Sequence, residues 1–418
     1  MGRAGLALCA LGLVANEFVL AAFLTGDGSF ESPWIRGAIW GMDLLLVAAG
    51  LAIYFGRRSG LGVNLLLALG SLALLAPLCG ELALRAGIAM GLEPLRDPWL
   101  YAGWCDDEVF WKLRYHWREP GSDIWDTGLV FDEHLGWTMG DDAGNDATTP
   151  CDGCPSPLLV YGDSFAYGVP PTVPEDRLPQ RLGALLPERP LVNYAASGYG
   201  FDQIYLRLSR TLDRHDASAV VVGIMTLDLD RSLFAVRDAP KPYYELDGDQ
   251  LELRGVPLPA DTDAWHRDHP PRIWSYLGAL LGRRITVAKG GPIETEIPYR
   301  RAEKQRLNGA ILEALVGEVR EAGRPLLVVL FVPPWQFPYE GWREVWLKDE
   351  LERLDVPYLD TKALLLDEAG RDGVDVTSFF HPDPNSHPNA EGYRRIAEAL
   401  ADCLAPVLAE PAAGEVDR

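Results

Sequence analysis

Three short stretches, far apart in the chain, hold the side chains best suited to covalent chemistry. The first is YGDSFAYG at 161–168. A serine between glycines, directly after an apolar run, stands on a tight turn where its hydroxyl is exposed and its own N–H can face a developing oxyanion. The second is NYAASGYGFDQ at 193–203, where Gly198 at a strand-to-helix turn lets a backbone N–H approach the same point. The third is HPDPNSHPNAEGYRRIAEAL at 381–400. A hydroxyl is a weak nucleophile at neutral pH and needs a base within hydrogen-bond reach, a role that suits the imidazole of His387 with an ordinary pKa of about 6.5. Asn389 caps the last helix, so His387 sits on a loop at a helix start. Ser164 with His387 therefore forms a candidate nucleophile and base.

Positioning these loops requires a rigid scaffold, and the apolar runs supply one. PLLVY (157–161), Leu191 to Tyr194, AVVVGIM (219–225), LLVVLFV (326–332) and Val356 to Leu359 are uninterrupted apolar segments of strand length. Such runs fit strands buried on both faces of a parallel sheet. Helical stripes lie between them: Ile204, Tyr205, Leu208 and Leu212; Ile311, Leu312, Leu315 and Val319; and, at the end, Tyr393, Ile396, Leu400, Cys403, Leu404 and Val407. The alternation predicts an α/β fold, a three-layer sandwich around a parallel sheet, over residues 157–410. Chemistry in such sheets gathers where strands end. YYELDGDQLELR at 243–254 alternates around Asp247-Gly248 and predicts an inserted hairpin, read as surface elaboration rather than a lid. Residues 85–156, rich in Trp, Asp and Gly, read as a connecting and packing segment, and 411–418 as a disordered tail.

Residues 1–84 differ in kind. Three apolar segments, Leu6 to Leu24, Ile35 to Phe55 and Leu61 to about Leu78, are each near the length that crosses a bilayer and predict three transmembrane helices. Arg57 and Arg58 mark the loop between the second and third as cytoplasmic, which puts the N-terminus inside and everything after residue 84 outside. Asn16, Glu17, Asp43 and Asn64 read as helix-pairing groups. The net charge of −22, from 60 acidic and 38 basic residues, excludes a phosphate-backbone partner in the absence of a basic patch, so no nucleic acid is expected. CDGC at 151–154 is half of a zinc motif that no second C-x-x-C or histidine pair completes, so no metal or other cofactor is expected. Cys9, Cys79 and Cys403 read as buried thiols, whereas Cys151 or Cys154 is a candidate for a structural disulfide.

GDSFAYG, ASGYG and SHPNAEG, in this order over residues 157–407, resemble the blocks of the SGNH/GDSL hydrolase superfamily. The resemblance implies Ser164 as nucleophile, Gly198 in the oxyanion hole with the N–H of Ser164, and His387 as base. It departs in two places. Aspartate usually stands three residues before the histidine, but position 384 is Pro384, so Asp383 is taken as the orienting acid, with His381 as an alternative base. The family's oxyanion-hole asparagine follows the third strand, where this chain reads GIMTLDLDR; if Asp228 aligns with the acid that follows it, Leu227 holds its place and Thr226 is the remaining side-chain candidate. The implied activity is ester hydrolysis outside the cytoplasm on an acylated small molecule or polysaccharide. Its alternatives are O-acyl transfer to a cell-envelope polysaccharide, with a membrane acyl-donor protein as partner, and a non-catalytic binding module that kept the fold.

Overall fold

The computed structural model describes residues 9–10, 12, 33–55, 60–103, 108–118, 128–140, 156–169, 172–288, 300–382 and 386–409. The chain divides into two units, Met1–Asp97 with Ile273–Gly282, and Pro98–Arg272 with Arg283–Arg418.

The larger unit is built on a five-stranded sheet. Its strands are β1 (Leu158–Tyr161), β2 (Leu191–Asn193), β3 (Ala219–Met225), β4 (Leu326–Phe331) and β5 (Tyr358–Asp360). Their order is β2-β1-β3-β4-β5 and every pairing is parallel. These are the five apolar runs, and β1 and β3 are buried at every residue, as a sheet covered on both faces demands. The helices are α1 (Leu178–Leu185), α2 (Phe201–Thr211), α3 (Arg301–Glu321), α4 (Trp342–Arg353), α5 (Thr361–Asp372) and α6 (Ala390–Ala409). The chain steps one way from β1 to β2 and the other way from β2 to β3, so right-handed crossovers send α1 to one face and α2 and α3 to the opposite one. The packing follows: α1 pairs with α6, and α2 with α3. The reversal also sets the topological switch point at the carboxyl ends of β1 and β3, where sheets of this order bind ligands.

Two hairpins decorate this frame. Tyr243–Asp247 pairs with Gln250–Arg254 through a Gly248-Asp249 loop, one residue on from the predicted centre. Tyr244 is buried and lies 5.5 Å from the ring of Tyr205 on α2, so the hairpin is packed on the helical layer. The second, Leu129–Asp132 with Gly136–Met139, lies in the stretch read as a connecting and packing segment, with no strands assigned to it. Its Trp137 is fully buried in the main core.

In the smaller unit, helices run over Pro33–Phe55 and Gly60–Ala89. Among the described residues no helix is long and apolar enough to cross a membrane. The three predicted spans, and the outward orientation counted from them, therefore gain no support. Arg36 and Asp43 interrupt the apolar run of Pro33–Phe55, and the next helix continues past Leu78 into protein contacts. There the carboxylate of Glu81 accepts from the backbone N–H of Tyr276 (3.1 Å) and Leu277 (2.8 Å). The segment Leu6 to Leu24 falls almost wholly outside the described residues.

Cys79 and Cys403 are exposed free thiols, contrary to the buried reading. On α6 the buried stripe passes through Leu400 and Leu404 and leaves Cys403 to one side. Cys105, Cys151 and Cys154 lie outside the described residues.

Candidate active site

β1 ends at Tyr161 and the chain turns at once. Gly162 has φ +155, and a Cβ there would fall 2.5 Å from the Cβ of Ala166 and 2.8 Å from the carbonyl oxygen of Gly223. Only glycine lets β1 leave the sheet this close to β3. Asp163 then caps the short helical turn Ser164–Tyr167, its Oδ1 accepting from the N–H of Phe165 at 2.9 Å. The cap fixes Ser164 at the sheet's carboxyl edge.

His387 arrives from the other end of the domain. The loop is pinned by an isolated bridge between Phe380 and Pro388, by His381 N–H donating to the carbonyl of His387 (2.9 Å), and by Asn389, whose Oδ1 accepts from the N–H of Glu391 (3.0 Å) and Gly392 (3.1 Å). Ser386 holds φ +47, a left-handed conformation uncommon for a residue with a Cβ, and so aims the next residue inward. The ring of Phe165 lies 4.6 Å from the His387 ring. The outcome is a 2.9 Å contact between Ser164 Oγ and His387 Nε2, across 223 positions of sequence. Both residues are only 7% exposed. The Ser164 hydroxyl also lies 3.3 Å from Asp163 Oδ2. It carries one proton, and the shorter contact favours giving it to the imidazole.

The other sequence candidates fall as follows. Asp383 lies outside the described residues. The ring Nε2 of His381 is 2.9 Å from Thr172 Oγ1, which gives that imidazole a different partner from the nucleophile. Leu227 is buried and brings no donor from its side chain. Thr226 is a correction: its buried hydroxyl donates to Gln336 Oε1 at 3.0 Å, so its proton is committed away from any oxyanion.

Gly198 has φ +84 on the turn between β2 and α2. The overlooked hairpin braces this turn. Trp137 Nε1–H donates to the carbonyl of Ser197 (2.8 Å), and the Tyr199 hydroxyl donates to the carbonyl of Trp137 (2.6 Å).

Sequence reasoning also missed Arg231. Its Nη1 lies 2.6 Å from Asp228 Oδ1, 3.0 Å from the carbonyl of Tyr199 and 3.2 Å from Asp163 Oδ2. One guanidinium thus joins the loops after β1, β2 and β3, and all three side chains are buried. Burial, reinforced by the adjacent Asp163, pushes the Asp228 carboxyl well above the usual carboxylate range. The i,i+3 spacing of Asp228 and Arg231 was the available signal, though such pairs are common on exposed helices.

Residues 160–395 match the GDSL-like Lipase/Acylhydrolase family. Among solved structures, the chain is similar to psychrotrophic esterase EstA from Pseudoalteromonas sp., at 15% identity over 61% of this chain and 100% of that one, with a TM-score of 0.33. It is similar also to a member of the lipolytic protein G-D-S-L family from Veillonella parvula DSM 2008, at 11% identity over 59% and 97%, TM-score 0.33. A two-domain esterase active on acetylated mannans is similar at 11% identity over 61% and 50%, TM-score 0.33. No curated protein matches. With a family match that runs from β1 into the last helix and takes in both Ser164 and His387, the chain belongs to the GDSL-like lipase/acylhydrolase family.

Proposed function

We propose that this protein hydrolyses carboxylic esters through an acyl-enzyme on Ser164. The observation that carries the reading is the 2.9 Å contact between Ser164 Oγ and His387 Nε2 on the sheet's carboxyl edge. As Oγ bonds to the ester carbonyl carbon, its proton passes to His387 Nε2 and the carbonyl π pair moves onto oxygen. The backbone N–H groups of Ser164 and Gly198 hold that oxyanion. Collapse breaks the bond to the alcohol oxygen, which leaves with the proton from His387. Water then repeats the sequence on the acyl-enzyme, giving its proton to His387 and releasing the acid and the Ser164 hydroxyl. Asp383 orients the His387 ring in this reading.

The setting belongs to the same proposal: the enzyme acts outside the cytoplasm, with its N-terminal region in contact with lipid. Trp40, Leu44 and Leu45 support it, being exposed on helix Pro33–Phe55.

The test of the chemistry is direct. A fluorophosphonate probe should label Ser164 in the full chain, and Ser164→Ala should abolish both labelling and p-nitrophenyl acetate turnover with an unchanged melting curve. Turnover that survives in Ser164→Ala would refute the assignment.

A further inference from the structure

The loop after β3 brings a second arginine to the candidate site, and its donors are only partly used. Arg237 packs directly on Gly198: a Cβ on that glycine would fall 2.2 Å from Arg237 Nη1 and 3.1 Å from its Cζ. The guanidinium is held from one side. Asp238 accepts from Nη1, Arg114 in turn approaches Asp238 at 3.7 Å, and the ring of Trp111 lies 4.7 Å from the Arg237 Cζ. The side chain is 14% exposed. Among the described residues no group accepts from its buried Nε, and none accepts from Nη2. A planar guanidinium thus stands against the turn at Gly198 through Nη1 and Cζ, with the N–H groups of Nη2 unspent.

The charges around it leave room for an anion. Arg231 faces Asp163 and Asp228, whereas Arg237 and Arg114 share the single carboxylate of Asp238. Burial draws the Arg237 pKa down to about 10, which still leaves the group cationic at neutral pH. Meanwhile the asparagine position implied by the family resemblance holds Leu227, and the Thr226 hydroxyl is committed to Gln336.

We propose that Arg237 supplies the side-chain part of the oxyanion hole, its Nη2 donating to the oxygen that becomes negative when Ser164 attacks. This rests on the hydrolase reading of Ser164 and His387. Arg237 gives up no proton in the step. The carbonyl π pair settles on an oxygen facing its N–H groups and returns when the leaving alcohol departs with the proton from His387. The two backbone N–H groups and Nη2 then surround the oxyanion without an asparagine.

The experiment uses the full chain with p-nitrophenyl acetate, fluorophosphonate labelling and thermal melting. Arg237→Met should lower kcat about 100- to 1,000-fold at little cost in KM, as expected for one lost oxyanion donor. Arg237→Lys, which keeps the charge beside Asp238 but loses the planar guanidinium, should give an intermediate kcat at the parent melting temperature. Adding Leu227→Asn to Arg237→Met should restore part of the lost rate, which a merely structural role for Arg237 does not predict. A kcat for Arg237→Met within about threefold of the parent, or a loss confined to KM, overturns the inference. Should Arg237→Met fail to fold, Arg237→Lys decides, and a kcat equal to the parent's overturns it. A parent chain that neither turns over ester nor takes the probe defeats the hydrolase reading itself, and is told apart because it needs no substitution at position 237.

Discussion

Gly198→Ala offers a sharp test of the turn that joins β2 to α2. The added methyl meets two obstacles. At φ +84 the backbone lies where an L side chain costs about 1–2 kcal/mol. The Cβ would also stand 2.2 Å from Arg237 Nη1 and 3.0 Å from Asp238 Oδ2. Non-bonded heavy atoms settle near 3.5 Å, so the guanidinium or the turn must yield by roughly 1.3 Å. If the turn yields, the Gly198 N–H leaves the oxyanion; if the guanidinium yields, its Nη2 leaves it. Either way one donor is lost, and kcat on p-nitrophenyl acetate should fall at least about 100-fold while KM changes little. The folded state should lose about 1–2 kcal/mol, a melting shift of only a few degrees that leaves the protein folded during the assay. Parent-like kcat together with a parent-like melting temperature would show that this glycine is neither strained nor near the reacting oxygen, and would remove both Gly198 and Arg237 from the oxyanion hole.

Other expectations follow from buried charge and packing. Arg231→Met leaves Asp163 and Asp228 buried without their cation and should cost about 3–5 kcal/mol in urea unfolding; a loss under about 1 kcal/mol would contradict the bridging role. His266 is 1% exposed, stacked on Tyr115 with ring centroids 3.4 Å apart, and burial pushes its pKa from 6.5 down to about 3. Between those values the unfolded chain binds the extra proton. Stability should therefore fall as pH drops below 6.5, by up to about 1.4 kcal/mol per unit, and His266→Phe should flatten that slope in denaturant midpoints taken at several pH values. Gly317 lies inside α3, and a methyl group added there would meet nothing within 4 Å, so Gly317→Ala should raise stability by about 1 kcal/mol in the same unfolding assay.

What the sequence disclosed depended on the range of the physics involved. The five strands were legible because burial on both faces leaves an unbroken apolar run, as in AVVVGIM. The hairpin at 129–139 was not, because its strands are four residues long and Val130 faces solvent while Leu129 is buried, too short a pattern for periodicity to register. Ser164 and His387 could be found because their chemistry restricts residue type and their loops carry turn and cap signals. Arg231 and Arg237 could not, because an acid close by in sequence, Asp228 for one and Asp238 for the other, is just as common beside an exposed arginine, and the contacts that bury them come from the separate 163 and 198–199 segments. At the N-terminus, hydropathy gave helices in the right region but spoke less clearly about what they pack against. Glu81 is an example, since its hydrogen bonds reach residues 275–277, nearly two hundred positions away.

The motif LDLDR shows how the fold holds this site. Asp228 and Asp230, two residues apart on the turn after β3, are both buried and serve different partners. Asp228 meets Arg231 and accepts from the N–H of Met225 at 2.8 Å, facing the nucleophile loop. Asp230 accepts from Lys304 on α3 at 2.6 Å and from Arg343 on α4 at 2.6 Å. Buried ion pairs of this kind add little net stability over apolar packing, because desolvation consumes most of their attraction. Their contribution is geometric: a guanidinium nitrogen held by three acceptors has one position, whereas an apolar contact tolerates sliding. Through Asp230 the turn is tied to the helical layer, and through Asp228 and Arg231 the same turn is tied to Asp163 and hence to Ser164. The position of the hydroxyl is thereby set by charged contacts reaching back to α3 and α4, which is why a substitution as remote as Lys304→Met should slow p-nitrophenyl acetate turnover as well as lower the urea midpoint.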